Sequence, residues 1–342
     1  MKKVVVIGGG FLGSCVARQL QSQFNVVLID NKEYFEFTPG VLRVLVEPEH
    51  LEKIQVKHKN YLKRARFVKG QVSEVAPEYV RVNGKKAGFN YLVIASGSSY
   101  SAPIKHQNAI MADRGISLQR YASRLEKANR ITVVGGGVGG VELAAEICTK
   151  YRDKEITIIH AGDSLIERNH PGSIRCARKF LQRYNVKIIY GERAIKQTNK
   201  EIVTDKRRKI KTDLVFLCTG ITPNDKFMKK NYSHSIINRG IEIDPFLRVI
   251  GAENIFAGGD VCAIREEKTA QAAEIHAEII AQNIINTKRG RKLIPYISRK
   301  RPMIISLGKF NGIFEYKNFV ISGLIPAFMK WAVERKTMWK YR

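Results

Sequence analysis

The first thirteen residues constrain this chain more than any other stretch. Val4-Val5-Val6-Ile7 is a run of β-branched residues that predicts a buried parallel strand. Gly8-Gly9-Gly10-Phe11-Leu12-Gly13 follows at once in G-x-G-x-x-G spacing, and Ser14 to Leu20 keeps a helical apolar rhythm through Cys15, Val16 and Leu20. In such a turn the first glycine permits the sharp bend, the second lets backbone approach a pyrophosphate, and the third lets helix pack on strand. The helix N-terminus then offers N–H groups and the positive end of its dipole to the phosphates. A second strand, Val26-Val27-Leu28-Ile29, ends in Asp30, 22 residues after Gly8. At that separation a carboxylate can accept the ribose hydroxyls of a dinucleotide.

The opening pattern returns 127 residues later. Ile131-Thr132-Val133-Val134 leads into Gly135-Gly136-Gly137-Val138-Gly139-Gly140, and a strong helix pattern runs from Val141 to Lys150. Leu214 to Gly220 likewise repeats the strand-then-small-residue pattern of Val93 to Gly97. The repeat is a domain duplication rather than a solenoid period, and two glycine turns imply two dinucleotides. The second copy differs at one place. Its second strand, Ile156-Thr157-Ile158-Ile159, ends in His160 rather than an acid. The carboxylate that favours NAD over NADP is therefore missing. His160, helped by Arg175 or Arg178, would accept a 2′-phosphate; alternatively it caps the strand and both nucleotides bind.

Composition narrows the setting. With 342 residues and 44% apolar content the chain can hold two or three domains with ample cores. No apolar run approaches the roughly 18 residues needed to span a bilayer. Met1-Lys2-Lys3 leads directly into the first strand, so neither a signal peptide nor myristoylation is expected. Cys15, Cys148, Cys176, Cys218 and Cys262 form no C-x-x-C pair, which predicts a reducing compartment, no disulfide and no metal site. The formal net charge of +28 suits either acidic lipid or nucleic acid, or is simply a lysine-rich solvated surface, since the charges run along the whole chain. No helix-turn-helix, zinc-finger or RNA-binding signature accompanies it, so no specific nucleic-acid partner is expected. Of the densest basic runs, at 206–209, 288–292 and 299–301, the first, Lys206-Arg207-Arg208-Lys209, reads as a hairpin tip.

Two glycine turns, the intervening Ala95-Ser96-Gly97-Ser98 and the late Gly258-Gly259-Asp260 together resemble the two-dinucleotide flavoprotein reductases. Within them the chain looks most like the type II NADH dehydrogenases and the apoptosis-inducing-factor-like quinone reductases of the ferroptosis-suppressor group. The resemblance covers about residues 3 to 286. It implies an α/β fold of two Rossmann-like doubly wound domains, the second inserted in the first. Residues 1–105 and 243–292 would form the FAD-binding domain, 106–242 the NAD(P)H-binding domain, and 293–342 a region closing the flavin site.

Carried over residue by residue, Gly8, Gly9, Gly10, Phe11, Leu12 and Gly13 would hold the FAD pyrophosphate, and Asp30 its adenosine ribose. Arg43, Val72, Gly97, Asp260 and Ala270 would contact other parts of a non-covalent FAD. The helix beginning near Thr269 would aim its positive end at the flavin pyrimidine ring. Gly135, Gly137, Val138, Gly140, His160 and Gly220 would serve NAD(P)H. Glu142 matches a glutamate near the nicotinamide, or is an ordinary first-turn glutamate. Type II dehydrogenases carry Ala-Gln-x-Ala-x-Gln by their quinone pocket. Here Ala270-Gln271-Ala272-Ala273-Glu274-Ile275 keeps three of the four positions, with Gln271 among them and Ile275 in place of the last glutamine.

Disulfide reductases of this kind carry a redox cysteine pair beside the flavin; the matching stretch, Phe35 to Val41, has none. Electrons must then pass directly to an external acceptor. The expected activity is NAD(P)H:quinone oxidoreduction, with Lys330, Glu142 or water supplying a proton. Reduction of a small electron-carrier protein, or a redox-sensing role, are the alternatives. The segment Leu324 to Arg342, with Trp331, Trp339 and five basic residues, is expected to meet anionic lipid. The enzyme would be a cytoplasmic monomer or homodimer, free or peripheral on the cytoplasmic face of a membrane.

Overall fold

The computed structural model describes residues 1–100, 109–111, 114–198 and 200–342. Two five-stranded parallel sheets organise it. The first runs, in spatial order, Ile255–Ala257, Tyr91–Ile94, Lys3–Ile7, Asn25–Asp30 and Arg66–Lys69. The second runs Ala109–Met111, Leu214–Leu217, Arg130–Val134, Glu155–Ile159 and Lys187–Ile189. In each, the strand leading into a glycine turn sits centrally, with its successor on one side and a later strand on the other. That switch in strand order opens a crevice at the carboxyl ends, where open α/β sheets bind ligands.

The apolar runs follow from burial on both faces. Val4 and Val6 enter one core with helix Phe11–Leu20. Val5 and Ile7 enter another with Val75, Val80 and Val82 of the antiparallel strands Val72–Val75 and Tyr79–Val82. Each such side chain contributes roughly 1.5–3 kcal/mol by leaving water. Helix Phe11–Leu20 packs along helix Ala270–Lys288, and Ile255–Ala257 pairs with Tyr91–Ile94, so the first unit closes only after the second has been traversed. The α/β expectation of two doubly wound units, one inserted in the other, holds. The division drawn near residue 105 lies outside the described residues.

After strand Asn25–Asp30 of the first sheet, Thr38–Leu45 forms a 3-10 turn, with Pro39 fixing φ at its start. The region closing the chain contains an antiparallel sheet of Met303–Ser306, Gly312–Tyr316 and Phe319–Gly323, followed by helix Leu324–Trp339. Val320 and Ile321 are therefore half-buried by strand pairing rather than presented to solvent. Lys206–Lys209 does join antiparallel strands, Glu201–Thr204 and Lys209–Lys211. No described helix is long and apolar enough to cross a membrane.

Candidate active site

The first turn separates glycines that pack from glycines that leave room. Gly8 has φ +97° and donates its N–H to the Ile29 carbonyl at 2.8 Å. A Cβ there would collide with the Ala95 carbonyl, and one on Gly13 with the Gly8 carbonyl. A Cβ on Gly10 would meet nothing within 4 Å, nor would one on Gly97. Helix Phe11–Leu20 starts at Gly10 with no side-chain cap and no acid in its first turn, leaving its amide end for an anion. Phe11 packs edge-on against Phe35, its ring 5.2 Å away, and Leu12 lies under Gly258.

Asp30 accepts the Gly9 N–H and, at 2.8 Å, the Lys32 N–H. Asp260, in the turn Gly259–Val261, accepts the Ser98 hydroxyl at 2.9 Å. Thr269 caps helix Ala270–Lys288, its hydroxyl accepting the Ala272 N–H, and no acid stands in that first turn. These groups fit a dinucleotide: open backbone at Gly10 and Gly97, a carboxylate at either end, and the positive ends of two helices, neither with an acid in its first turn. Val72 is buried in its strand.

The second turn repeats the design. Gly135 has φ +112° and donates to the Ile159 carbonyl at 2.8 Å. A Cβ would strike the Cys218 carbonyl at Gly135 and the Gly135 carbonyl at Gly140, while Gly137 and Gly220 face open space. Helix Val138–Lys150 likewise starts with no side-chain cap and no first-turn acid. His160 takes the acid's place, its Nδ1 accepting the Gly136 N–H at 3.1 Å. The exits from the two units run side by side: Ser98–Tyr100 pairs antiparallel with Ile221–Pro223, and Asn224 donates to the Ser96 carbonyl at 3.0 Å.

Between the units lies a cavity of about 440 Å³. Its polar floor comes from three distant parts of the chain. Glu142 and Glu146 stand one turn apart on helix Val138–Lys150. Lys330 Nζ is 2.5 Å from Glu142 Oε1, and the Ser306 N–H donates to the same oxygen at 2.8 Å. Arg43 pairs with Glu146 at 2.9 Å, and that pairing outweighs burial, which alone would lower its pKa, to hold the guanidinium above its usual range. Each carboxylate is thus matched by one cation, as buried charges require. Leu324, Phe328 and Trp331 form an apolar side. Pro39 and Gly40, from the stretch where a redox dithiol would stand, also line it.

The structure therefore brings Glu142 and Lys330 together, places Arg43 against Glu146, and leaves Gln271 exposed on the first turn of its helix, away from this cavity. Glu146 and Ser306 were not legible: their partners lie 103 and 164 residues away. His276 and Glu266 were missed as well. His276 Nδ1 accepts the Gly259 N–H at 3.0 Å, next to Asp260. The available signal was a polar residue interrupting the stripe Ala272, Ala273, Ala277, Ile280 on the buried face of its helix. Burial alone would raise the Glu266 carboxyl, but His276 close beside it and the hydrogen bonds from Tyr296 and Ser298 hold it far below the usual range. All five cysteines are free. Burial pushes the Cys148, Cys218 and Cys262 thiols up to about 12, which makes them poor nucleophiles.

Two glycine-turn units, one inserted in the other, define a pyridine-nucleotide oxidoreductase of the flavoprotein kind. The chain belongs to the pyridine nucleotide-disulphide oxidoreductase family, whose pattern matches residues 2–277. It is 31% identical over 349 residues to ferroptosis suppressor protein 1 of Homo sapiens, covering 96% of this chain and 92% of that one. It is 32% identical over 343 residues to apoptosis-inducing factor homolog B of Dictyostelium discoideum, covering 91% and 89%. The fold superposes on NDH2 from Plasmodium falciparum in complex with NADH, with a TM-score of 0.88 at 17% identity, over 100% of this chain and 96% of that one. A sulfide:quinone oxidoreductase from Aquifex aeolicus gives 0.87 at 20% identity, over 100% and 92%. The chain is a flavin-type pyridine-nucleotide oxidoreductase.

Proposed function

We propose that this chain is an FAD-dependent NAD(P)H:quinone oxidoreductase. The observation that carries the reading is the cavity: two compensated carboxylates at its floor, an apolar side, and Pro39-Gly40 where a dithiol would stand. Bound flavin supplies hydride acceptance from nicotinamide and two-electron delivery to the quinone. The chain supplies the rest. Gly8, Gly10, Gly13, Asp30, Gly97 and Asp260 hold the FAD without a covalent link, and Gly135, Gly137 and Gly140 hold NAD(P)H. The amide end of helix Ala270–Lys288 adds positive potential where negative charge develops. Lys330 pairs with Glu142 at the cavity floor, where its ammonium group can donate to an entering carbonyl oxygen. Residues 1–105 and 243–292 serve the flavin, 106–242 the nicotinamide nucleotide, and 293–342 close the cavity.

The outer face of helix Leu324–Trp339 supports peripheral contact with anionic lipid. Leu324, Ile325, Phe328 and Trp339 are each more than 60% exposed, and Arg335, Lys336 and Arg342 are exposed nearby. Rapid mixing with NADH or NADPH should bleach the flavin, and a short-chain quinone should restore it over many turnovers. Reoxidation only by an acidic iron–sulfur protein would favour the carrier-reductase reading, which the +28 charge also suits.

A further inference from the structure

Beneath the Gly258-Gly259-Asp260 turn lies a chain of polar side chains that starts at the buried His276 and Glu266. His276 is 1% exposed, and its Nδ1 accepts the Gly259 N–H at 3.0 Å, so its proton sits on Nε2. Nε2 lies 3.0 Å from Glu266 Oε1. The direction is poor for a linear hydrogen bond, leaving Nε2 without a formal acceptor, so the contact is chiefly electrostatic. The other Glu266 oxygen accepts the Tyr296 and Ser298 hydroxyls, the latter at 2.7 Å, and Arg301 at 3.2 Å. Tyr296 also stands edge-on to the His276 ring, with centroids 4.3 Å apart. A Cβ on Gly258 would press on His276, Leu12 and Ile280, so the turn rests directly on this helix. Gly259 itself has φ +72° and is buried, and its N–H has no solvent to turn to.

We propose that Glu266 and His276 are positioning residues for the flavin, fixing the Gly259 amide and thereby the carboxylate of Asp260. The proposal rests on the reading that Asp260 holds the flavin. Glu266 orients the imidazole so that a lone pair, not a proton, meets the amide. Hydrophobic burial alone would anchor helix against turn but would leave the Gly259 N–H unsatisfied. Carboxylate–imidazole pairs fix ring orientation in the same way at metal sites.

The test uses the full chain, stripped of flavin and reloaded with FAD. In His276→Asn a side-chain carbonyl falls near the Nδ1 position and can accept from Gly259. In His276→Gln an amide nitrogen falls near Nε2 and reaches Glu266, while Gly259 loses its acceptor. His276→Leu supplies neither. FAD dissociation constants should rise about tenfold or more for Leu and Gln and stay within about threefold for Asn. Apoprotein melting temperatures, measured in parallel, should fall for Leu and Gln because Gly259 is left unpaired, whereas Ile284→Ala, a core change elsewhere on the same helix, should lower melting without weakening FAD. Asn as weak as Leu, unchanged binding in all three, or FAD weakened in Ile284→Ala as much as in His276→Leu would each overturn the proposal. Asp260→Asn is read separately: normal FAD binding in that variant defeats the assignment of Asp260, whatever the His276 ranking.

Discussion

The two glycine turns perform the same backbone task with different supports. Gly9 and Gly136 are each gripped at both ends of the peptide. At Gly9 the N–H meets the Asp30 carboxylate and the carbonyl meets the Ser14 hydroxyl at 2.8 Å. That hydroxyl continues to Tyr61, 2.7 Å away, and on to the buried His58. At Gly136 the N–H meets neutral imidazole nitrogen, and the carbonyl meets the Ile166 amide at 2.8 Å. Ile166 holds that position at φ +43°, a conformation that costs a β-branched residue about 1–2 kcal/mol. The first turn is thus backed by a charged, side-chain network, and the second by backbone and an uncharged ring. Identical phosphate cradles can be tuned for different nucleotides by what stands behind them, without touching the glycines.

The largest expected effects separate the cradles. Gly10→Val and Gly137→Val both add a side chain into open space, so both proteins should fold. Gly10→Val should emerge without flavin, its FAD affinity down by at least about a hundredfold. Gly137→Val should keep flavin that dithionite bleaches and NAD(P)H does not. Full flavin recovery in the first variant, or normal nicotinamide reduction in the second, would break the assignment of turns to nucleotides.

Next is a pH effect confined to the first turn. Burial holds the His58 imidazole down at about 4, below its ordinary 6.5, with Asp30 opposing. The unfolded chain therefore binds more protons between those values. Stability from this site is complete above pH about 6.5 and is lost as pH falls toward about 4, by up to about 3 kcal/mol. Urea unfolding of the apoprotein across that window should be visibly flatter for His58→Asn. Equal slopes in both proteins would show that His58 is not the group titrating.

Smaller still is the nucleotide preference. His160→Asp should copy the first turn, accepting a ribose hydroxyl and repelling a 2′-phosphate. The ratio of kcat/KM for NADH over NADPH should rise about tenfold, equal to about 1.4 kcal/mol. An unchanged ratio would mean that the end of this strand does not face the adenosine ribose. Smallest of all, volume-matched replacement of all five cysteines should leave NADH:quinone turnover within about tenfold, against a dithiol relay anywhere in the chain.

Both turns were legible because their determinants are consecutive: apolar strand, glycines, helix, and the residue closing the next strand. The packing glycines and the open ones could even be told apart by place in the motif. The floor of the cavity was legible only as separate residues. Nothing local says that Lys330 reaches Glu142, 188 residues earlier, or that Arg43 reaches Glu146. Short strands such as Met303–Ser306 carry too few residues for an alternating pattern, and their partners are set by tertiary contact. His276 was hidden by being buried, since a histidine on an apolar stripe reads first as core.

The far end of the chain sets a timetable. Tyr341 is buried, stacked 4.0 Å from the Phe35 ring and edge-on to Tyr61, with Arg18 over its face. During synthesis the second sheet is complete once residue 217 is out, whereas the first still awaits Ile255–Ala257 and then this tyrosine. The earliest sequence is thus the last to be finished, and its long loop closure makes it the slow step. Nascent chains arrested near residue 260, with Leu217 clear of the ribosome and Ile255–Ala257 still inside it, should already protect the nicotinamide unit from protease while the flavin unit is still cut.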